Sequence, residues 1–395
     1  MKFRYFFLIL AVFAVVLSGC VSRPRPPGGK PPAPATVYEH GRWTELPGWD
    51  SDTVQEAWQA FLESCRVSRF RQQWTTPCTA ALAVKVVSTA SVHEYFQTYF
   101  EPYKVVKRTG TVREDTGLIT GYFEPLLHGA RKSSAKYTAP LYAPPPDLLV
   151  IDLASLYPEL RGKRVRGRLE GKRIVPYYTR AELPTDPSLR GNEIVWIDNP
   201  FDALMLEVQG SGRVQLPDGG IIRLQYADQN GQPYHSVGRY LVQIGALSVE
   251  QATIPGIRAW LQANPQRLRE VLNANPSVVF FSEARLGDPK LGPKGAQGIP
   301  LTAGRSIAVD PAAVPLGTPV FLATTLPDSN LPLQRLVIAQ DTGGAISGAP
   351  RADYFCGSGP GPAELAGKMR QTGSLWILWP KNVPLPGQNV PAQAQ

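Results

Sequence analysis

Histidine, cysteine and methionine are scarce in this chain, at four, four and three among 395 residues. His40, His93, His128 and His235 are scattered, and no Cys-x-x-Cys pair or His-Glu-x-x-His stretch occurs. That argues against a zinc centre. Gly-x-Ser-x-Gly is missing too, and with it the signature of a serine-nucleophile elbow. Gly361 to Lys368 only faintly resembles a phosphate loop. Five residues rather than four separate its glycines, and Met369 stands where a hydroxyl is needed. The stretch reads instead as a helix, with Pro362 at its first position and Gly373 as its stop. Charged residues make up 18%, and the net charge is +9. The basic residues are dispersed and form no recognition motif, which argues against nucleic acid. A mildly positive surface suits anionic lipid or an acidic cell wall better.

Proline and glycine are abundant, at 39 and 36. They exclude a long-helix bundle and favour short strands joined by many turns. Hydrophobic residues reach 43%, enough for a packed core, and the length suggests about two domains. The longest apolar run near the start, Tyr5 to Leu17, follows Lys2 and Arg4 and is short for a bilayer span. It leads into Leu17-Ser18-Gly19-Cys20, which looks like a bacterial lipobox. The resemblance implies a signal peptide over 1–19, cleavage before Cys20 and lipidation of that cysteine. Ser22 in place of Asp suggests the outer membrane, with the body facing the periplasm. Several acyl chains give the stable anchoring that one chain cannot. A Pro-rich tether follows, assigned to 20–40, and 381–395 reads as a loose tail.

Between these ends, Ser51-Asp52 could cap a helix through Trp58, Phe61 and Leu62, and Val92 to Phe100 reads as a second helix. Val195 to Ile197, Ala203 to Gln209 and Ile221 to Tyr226 read as strands. Residues 252–275 return to helix and stop at Asn275-Pro276. Short strands then recur at Val278 to Phe281, Ser306 to Val309, Pro319 to Leu322, Arg335 to Ala339 and Ser374 to Trp379. That is the rhythm of a small β-barrel. Cys65 and Cys78 lie close in sequence, compatible with a disulfide in an oxidising compartment. Sequence alone leaves that pairing open, and Cys356 has no evident partner.

The chemically informative residues are three aspartates at strand ends. Asp310 ends Ile307-Ala308-Val309, and Asp341 ends Leu336-Val337-Ile338-Ala339-Gln340. Twelve residues after Asp341 stands Asp353, followed by Tyr354 and Phe355. A carboxylic acid that donates a proton near neutral pH needs burial or a neighbouring carboxylate to raise its pKa. Asp353 beside two aromatics, with Asp341 near, could meet that need. Strand-end aspartates also cap turns, so spacing alone does not decide.

The order of further segments adds a resemblance. Thr120-Gly121-Tyr122-Phe123-Glu124-Pro125, Gln209-Gly210-Ser211-Gly212-Arg213, Asn230-Gly231-Gln232-Pro233-Tyr234 and Ser236-Val237-Gly238-Arg239 come first. Asn275 to Phe281, Gly304 to Asp310 and the Asp341 and Asp353 segments follow. Together these resemble the membrane-bound lytic transglycosylase A (MltA) family, and the last part resembles the 3D domain, named for three aspartates. Phe123 stands where a second Tyr is common, and Thr342 where Val is.

The resemblance implies a mainly β fold with flanking helices. A double-psi β-barrel domain would be formed by 41–125 and 276–380, its 3D domain covering about 300–380. A second β-domain, 126–275, would be inserted, with a groove between the two. It implies cleavage of the β-1,4 bond between N-acetylmuramic acid and N-acetylglucosamine in peptidoglycan, leaving a 1,6-anhydro ring. Asp353 is the implied acid and base, with Asp341 a second catalytic candidate. Thr120, Tyr122, Glu124, Gln209, Ser211 and Asp310 are implied substrate contacts, while Arg213 and Arg239 either meet stem carboxylates or are merely solvated. No cofactor or metal is implied. The implied partners are peptidoglycan glycan strands, the membrane and a cell-wall synthesis complex. A non-catalytic wall-binding lipoprotein is the alternative, and a hydrolase releasing reducing ends a second.

Overall fold

A computed structural model describes residues 33–68, 72–160, 165–284 and 291–388. The expected signal peptide and Cys20 lie outside them. Among the described residues no helix is long and apolar enough to cross a membrane.

Six strands close on themselves. In spatial order they are Gly117–Glu124, Arg370–Pro380, Pro319–Thr325, Pro332–Asp341, Ser306–Val309 and Ala352–Ser358, which returns to Gly117–Glu124. Two pairings are parallel, Ser306–Val309 with Pro332–Asp341 and Ala352–Ser358 with Gly117–Glu124. Closure removes the unpaired sheet edges of these strands. Alternate residues such as Ile307, Val309 and Ala352 face the core, while Ala308 and Phe355 join a separate cluster on the other face. That alternation gives the barrel an outer face on which a site can form. Gly117 is required where the strand begins, because a Cβ there would sit 1.7 Å from the Pro350 carbonyl oxygen.

The sheet extends past the barrel through Phe100–Thr109 and Ala35–His40. The tether assigned to 20–40 is therefore too long, since its last six residues are a paired strand. The tail also packs in part: Val383 and Leu385 lie against the core, and Trp379 Nε1 donates to the Pro384 carbonyl.

Helices Trp58–Ser68, Thr75–Ala83 and Thr89–Tyr99 cover one side of the barrel. The buried rings of Phe61, Phe96 and Phe100 meet at centroid distances of 5.2–6.0 Å. Asp52 is not the helix cap that sequence suggested. It forms a two-pronged buried pair with Arg305, both N–O distances being 3.0 Å, and accepts from the Leu336 amide. Cys65 and Cys78 form a disulfide that ties the first two helices. Removing a cross-link that closes so short a loop should cost about 2–4 kcal/mol. An unfolding free energy from denaturant titration that falls for Cys78→Ser by that amount, and does not fall further with reductant, checks the value.

The second domain carries a sheet ordered Val279–Ala284, Ile221–Gln229, Ser211–Gln215, Leu126–Ala130, Glu193–Ile197 and Ala139–Tyr142, plus a separate three-stranded sheet. Its last strand lies beyond the expected boundary at 275. Asn275-Pro276 ends a helix locally, but Val279–Ala284 pairs back with Ile221–Gln229. Ala203 to Gln209, read as a strand, belongs to helix Pro200–Gln209. Asn199 caps it by accepting from the Phe201 and Asp202 amides, and Gly210 ends it at φ +77°. Phe201, Leu204 and Val237, Leu241 pack together, so the apolar run serves a helix face. Likewise Gly373 does not stop helix Pro360–Lys368; it lies inside the next strand, paired with Gly117.

Candidate active site

Strand register places the site. Ala308 pairs with Asp341 on one side and with Asp353 on the other, and Asp353 pairs with Thr120. Paired residues share a face, so Asp341, Ala308, Asp353 and Thr120 form one row across the outer barrel wall. With strands roughly 4.8 Å apart, the backbones of the two aspartates are about 10 Å apart. Tyr122, Phe355, Ala308, Ile346 and Leu301 make a small apolar bed along this row.

The two acids sit in different surroundings. Asp341 Oδ1 accepts from the backbone amides of Ala296 and Thr342, each at 2.9 Å, and Oδ2 accepts from the Tyr122 hydroxyl at 3.0 Å. Burial pushes its carboxyl above the ordinary value, while these three donors pull the other way by favouring its charge. Asp353 has no comparable set. Its side chain is 23% exposed, and Oδ1 meets Arg351 Nη1 and Nη2 at 3.3 and 3.4 Å. Those contacts are long for a charge-assisted bond. Burial raises the Asp353 carboxyl, and Arg351 offsets only part of that. The two carboxyls are thus both raised by burial, but Asp341 is offset by three hydrogen-bond donors and Asp353 by Arg351 alone.

The remaining groups are spectators or supports. Tyr122 is held well above its ordinary value, first by burial and then by Asp341, so its hydroxyl stays a donor. Burial pushes the Cys356 thiol up to about 12, which makes it a neutral packing group and not a nucleophile. Among the described residues no three His, Cys, Asp or Glu side chains converge to hold a metal ion.

Other sequence candidates fall elsewhere. Thr120 and Tyr122 lie in or beside the row. Gln209 ends its helix against the same strand, where its Oε1 accepts from the Phe123 amide at 3.0 Å. Ser211 is buried in its strand opposite Gln225. Asp310 caps a turn, with Oδ1 taking the Ala312 amide and Oδ2 the Gly348 amide. Glu124 has a fully buried side chain and cannot present its carboxylate to a sugar. It accepts from Arg223 Nε at 2.6 Å, Arg213 Nε at 2.9 Å and Ser358 Oγ at 2.8 Å. Arg213 is thereby committed within the protein, whereas Arg239 is exposed.

Two residues escaped sequence reasoning. Arg351 precedes Asp353 by two positions on the same strand face, which is a readable signal. Arg223 alternates with the core-facing Ile222 and Leu224, so its sequence position reads as solvated and only the structure shows it buried against Glu124.

The comparisons agree with this architecture. Residues 118–282 match the MltA specific insert domain, and 305–379 match the 3D domain. The membrane-bound lytic murein transglycosylase A of Escherichia coli K12 is 29% identical over 266 residues, covering 66% of this chain and 64% of that protein. The matched stretch thus spans just under two thirds of that relative. The monoclinic crystal structure of MltA from Neisseria gonorrhoeae shares 33% identity over 90% of this chain and 96% of that one, with a TM-score of 0.74. The lytic transglycosylase LtgG of Burkholderia pseudomallei shares 41% identity over 89% and 98%, with a TM-score of 0.57. With the insert and the 3D domain matched in order, and a relative covered almost end to end, the chain belongs to the MltA family.

Proposed function

We propose that this protein is a peptidoglycan lytic transglycosylase that works with a single acid, Asp353. The supporting observation is the asymmetry of the pair: Asp353 is poised to hold a proton, and Asp341 has its oxygens occupied by three donors. Most glycosidases need a second free carboxylate as nucleophile or base. A glycan that supplies its own nucleophile does not. In the proposed step, Asp353 gives its proton to the glycosidic O4 as the C1–O4 bond breaks. The C6 hydroxyl of the muramic acid closes onto C1, and its proton passes to the Asp353 carboxylate. No water is consumed, and the acid is regenerated. Asp341 holds Tyr122 and the Ala296 loop in place and contributes negative charge beside a developing oxocarbenium ion.

Digestion of purified sacculi followed by mass analysis tests the reading. Products lighter by one water than the hydrolytic fragments support it. Reducing ends indicate a hydrolase, and absence of release indicates a wall-binding lipoprotein. We further propose lipid anchoring at Cys20 in the outer membrane, with the body in the periplasm near the cell-wall synthesis machinery. Loss of membrane fractionation in Cys20→Ala checks the anchor.

A pH dependence follows from the raised Asp353 carboxyl. The acid must be protonated to act, so kcat/KM should fall on the alkaline side through a value above the ordinary carboxylate range. Arg351 favours the charged form. Arg351→Met should therefore move that limb to higher pH, as read from pH–rate profiles on soluble glycan.

A further inference from the structure

A cavity of about 630 Å³ opens beside the catalytic row, lined in part by Gly117, Asp310, Ala312, Ser347, Arg351 and Lys107. Its place follows from register. Gly117 lies three residues before Thr120, Arg351 two before Asp353, and Asp310 two after Ala308. At about 3.3 Å per residue, the cavity begins roughly 7–10 Å from the row. It lies away from Glu124-Pro125, where the chain crosses to the second domain, so a glycan between the domains has this cavity on its other flank.

Arg351 joins the two places. It lines the cavity, yet its Nη atoms reach Asp353 Oδ1 at 3.3 and 3.4 Å, with 15% of its side chain exposed. Nη1 also donates to the Ala352 carbonyl at 2.5 Å, whereas the 3.4 Å contact of Nη2 leaves that end of the guanidinium able to take a second anion. Lys107 and Glu114 also line the cavity and pair with each other at 2.7 Å, so their charges offset and Arg351 is the cation that remains for a ligand. Asp310 is occupied by two backbone amides, so its charge is fixed in place. The volume is in the range of small-molecule sites.

We infer that this cavity is a subsite for the short acidic peptide that muramic acid carries on its lactyl ether, with Arg351 receiving a peptide carboxylate. The inference rests on the peptidoglycan reading above. It adds that the enzyme holds the stem as well as the glycan. Extended peptide covers about 3.3–3.6 Å per residue, so the lactyl group and the first residues suffice to reach the cavity.

Ser347→Trp and Ala312→Trp fill the cavity from exposed positions outside the catalytic row. Turnover is compared on stem-bearing glycan and on glycan stripped of peptides. The expected result is a fall of about tenfold in kcat/KM on the stem-bearing glycan, with the stripped glycan cleaved as by the wild type, as loss of about one charge-assisted contact would give. Equal falls on both substrates, or none on either, overturn the subsite. Calorimetric binding of a muramyl peptide supplies an arm without turnover. Weaker binding to either Trp variant supports the subsite, and unchanged binding overturns it. If no anhydro product forms from either glycan while the binding difference persists, the lytic reading fails and the subsite stands.

Discussion

Asp353→Asn should lower the release of anhydro products by about 10²–10⁴-fold, the usual worth of a positioned general acid and base. Asn fills the same space but can neither give nor take the proton. The variant should fold, and should melt slightly above the wild type at pH values above the folded pKa of Asp353. Here the folded carboxyl is raised by burial, so the stabilising effect of its proton is present at low pH and is lost as pH rises through the folded value. Above that folded value the wild type carries a buried carboxylate that Asn does not. The difference in Tm should shrink as pH falls toward the ordinary aspartate value near 3.9. Turnover by Asp353→Asn within tenfold of the wild type would reject the assignment of the acid. A melting point well below the wild type at all pH values would reject the stated cause of its raised pKa.

Glu124→Gln should destabilise the protein by about 3–5 kcal/mol, the usual cost of removing one partner from a buried ion pair. Glu124 is where the chain leaves the barrel. Arg223, with 6% of its side chain exposed, also donates to the carbonyls of Leu291 and Gly292, where the chain has returned. One guanidinium thus holds both crossings between the domains. The neutral amide leaves Arg223 and Arg213 facing each other without their shared anion. Glu124→Leu with Arg223→Met should recover much of the loss, since apolar replacements of a buried pair are often tolerated. A rise in KM for Glu124→Gln with an unchanged denaturation midpoint would instead favour the sugar-contact role that its motif suggested.

The two predictions differ in how visible their residues were beforehand. Asp353 could be singled out through the 3D-domain resemblance, with two aromatics following it in sequence. Glu124 was visible too, but its role was not. Its motif points to a groove, whereas its environment is a closed cluster built by Arg213, Arg223 and Ser358, of which Ser358 is 234 residues away. The same difference explains the helix Pro200–Gln209. A short, largely apolar stretch such as Ala203 to Val208 suits a strand or a buried helix equally, and packing against Val237 and Leu241 decided between them.

Alternation, turn residues and caps act over a few residues, so the sequence by itself determined that this chain forms short strands, where several of them end, and that acids stand at those ends. Which acid keeps a proton is not a local property. Asp341 is tied by a hydroxyl 219 positions away and an amide 45 positions away, while Asp353 is left with burial and a 3.3 Å contact from Arg351. Desolvation and donor geometry exist only once distant strands have paired, and for that reason only the tertiary structure gives the two aspartates their different surroundings.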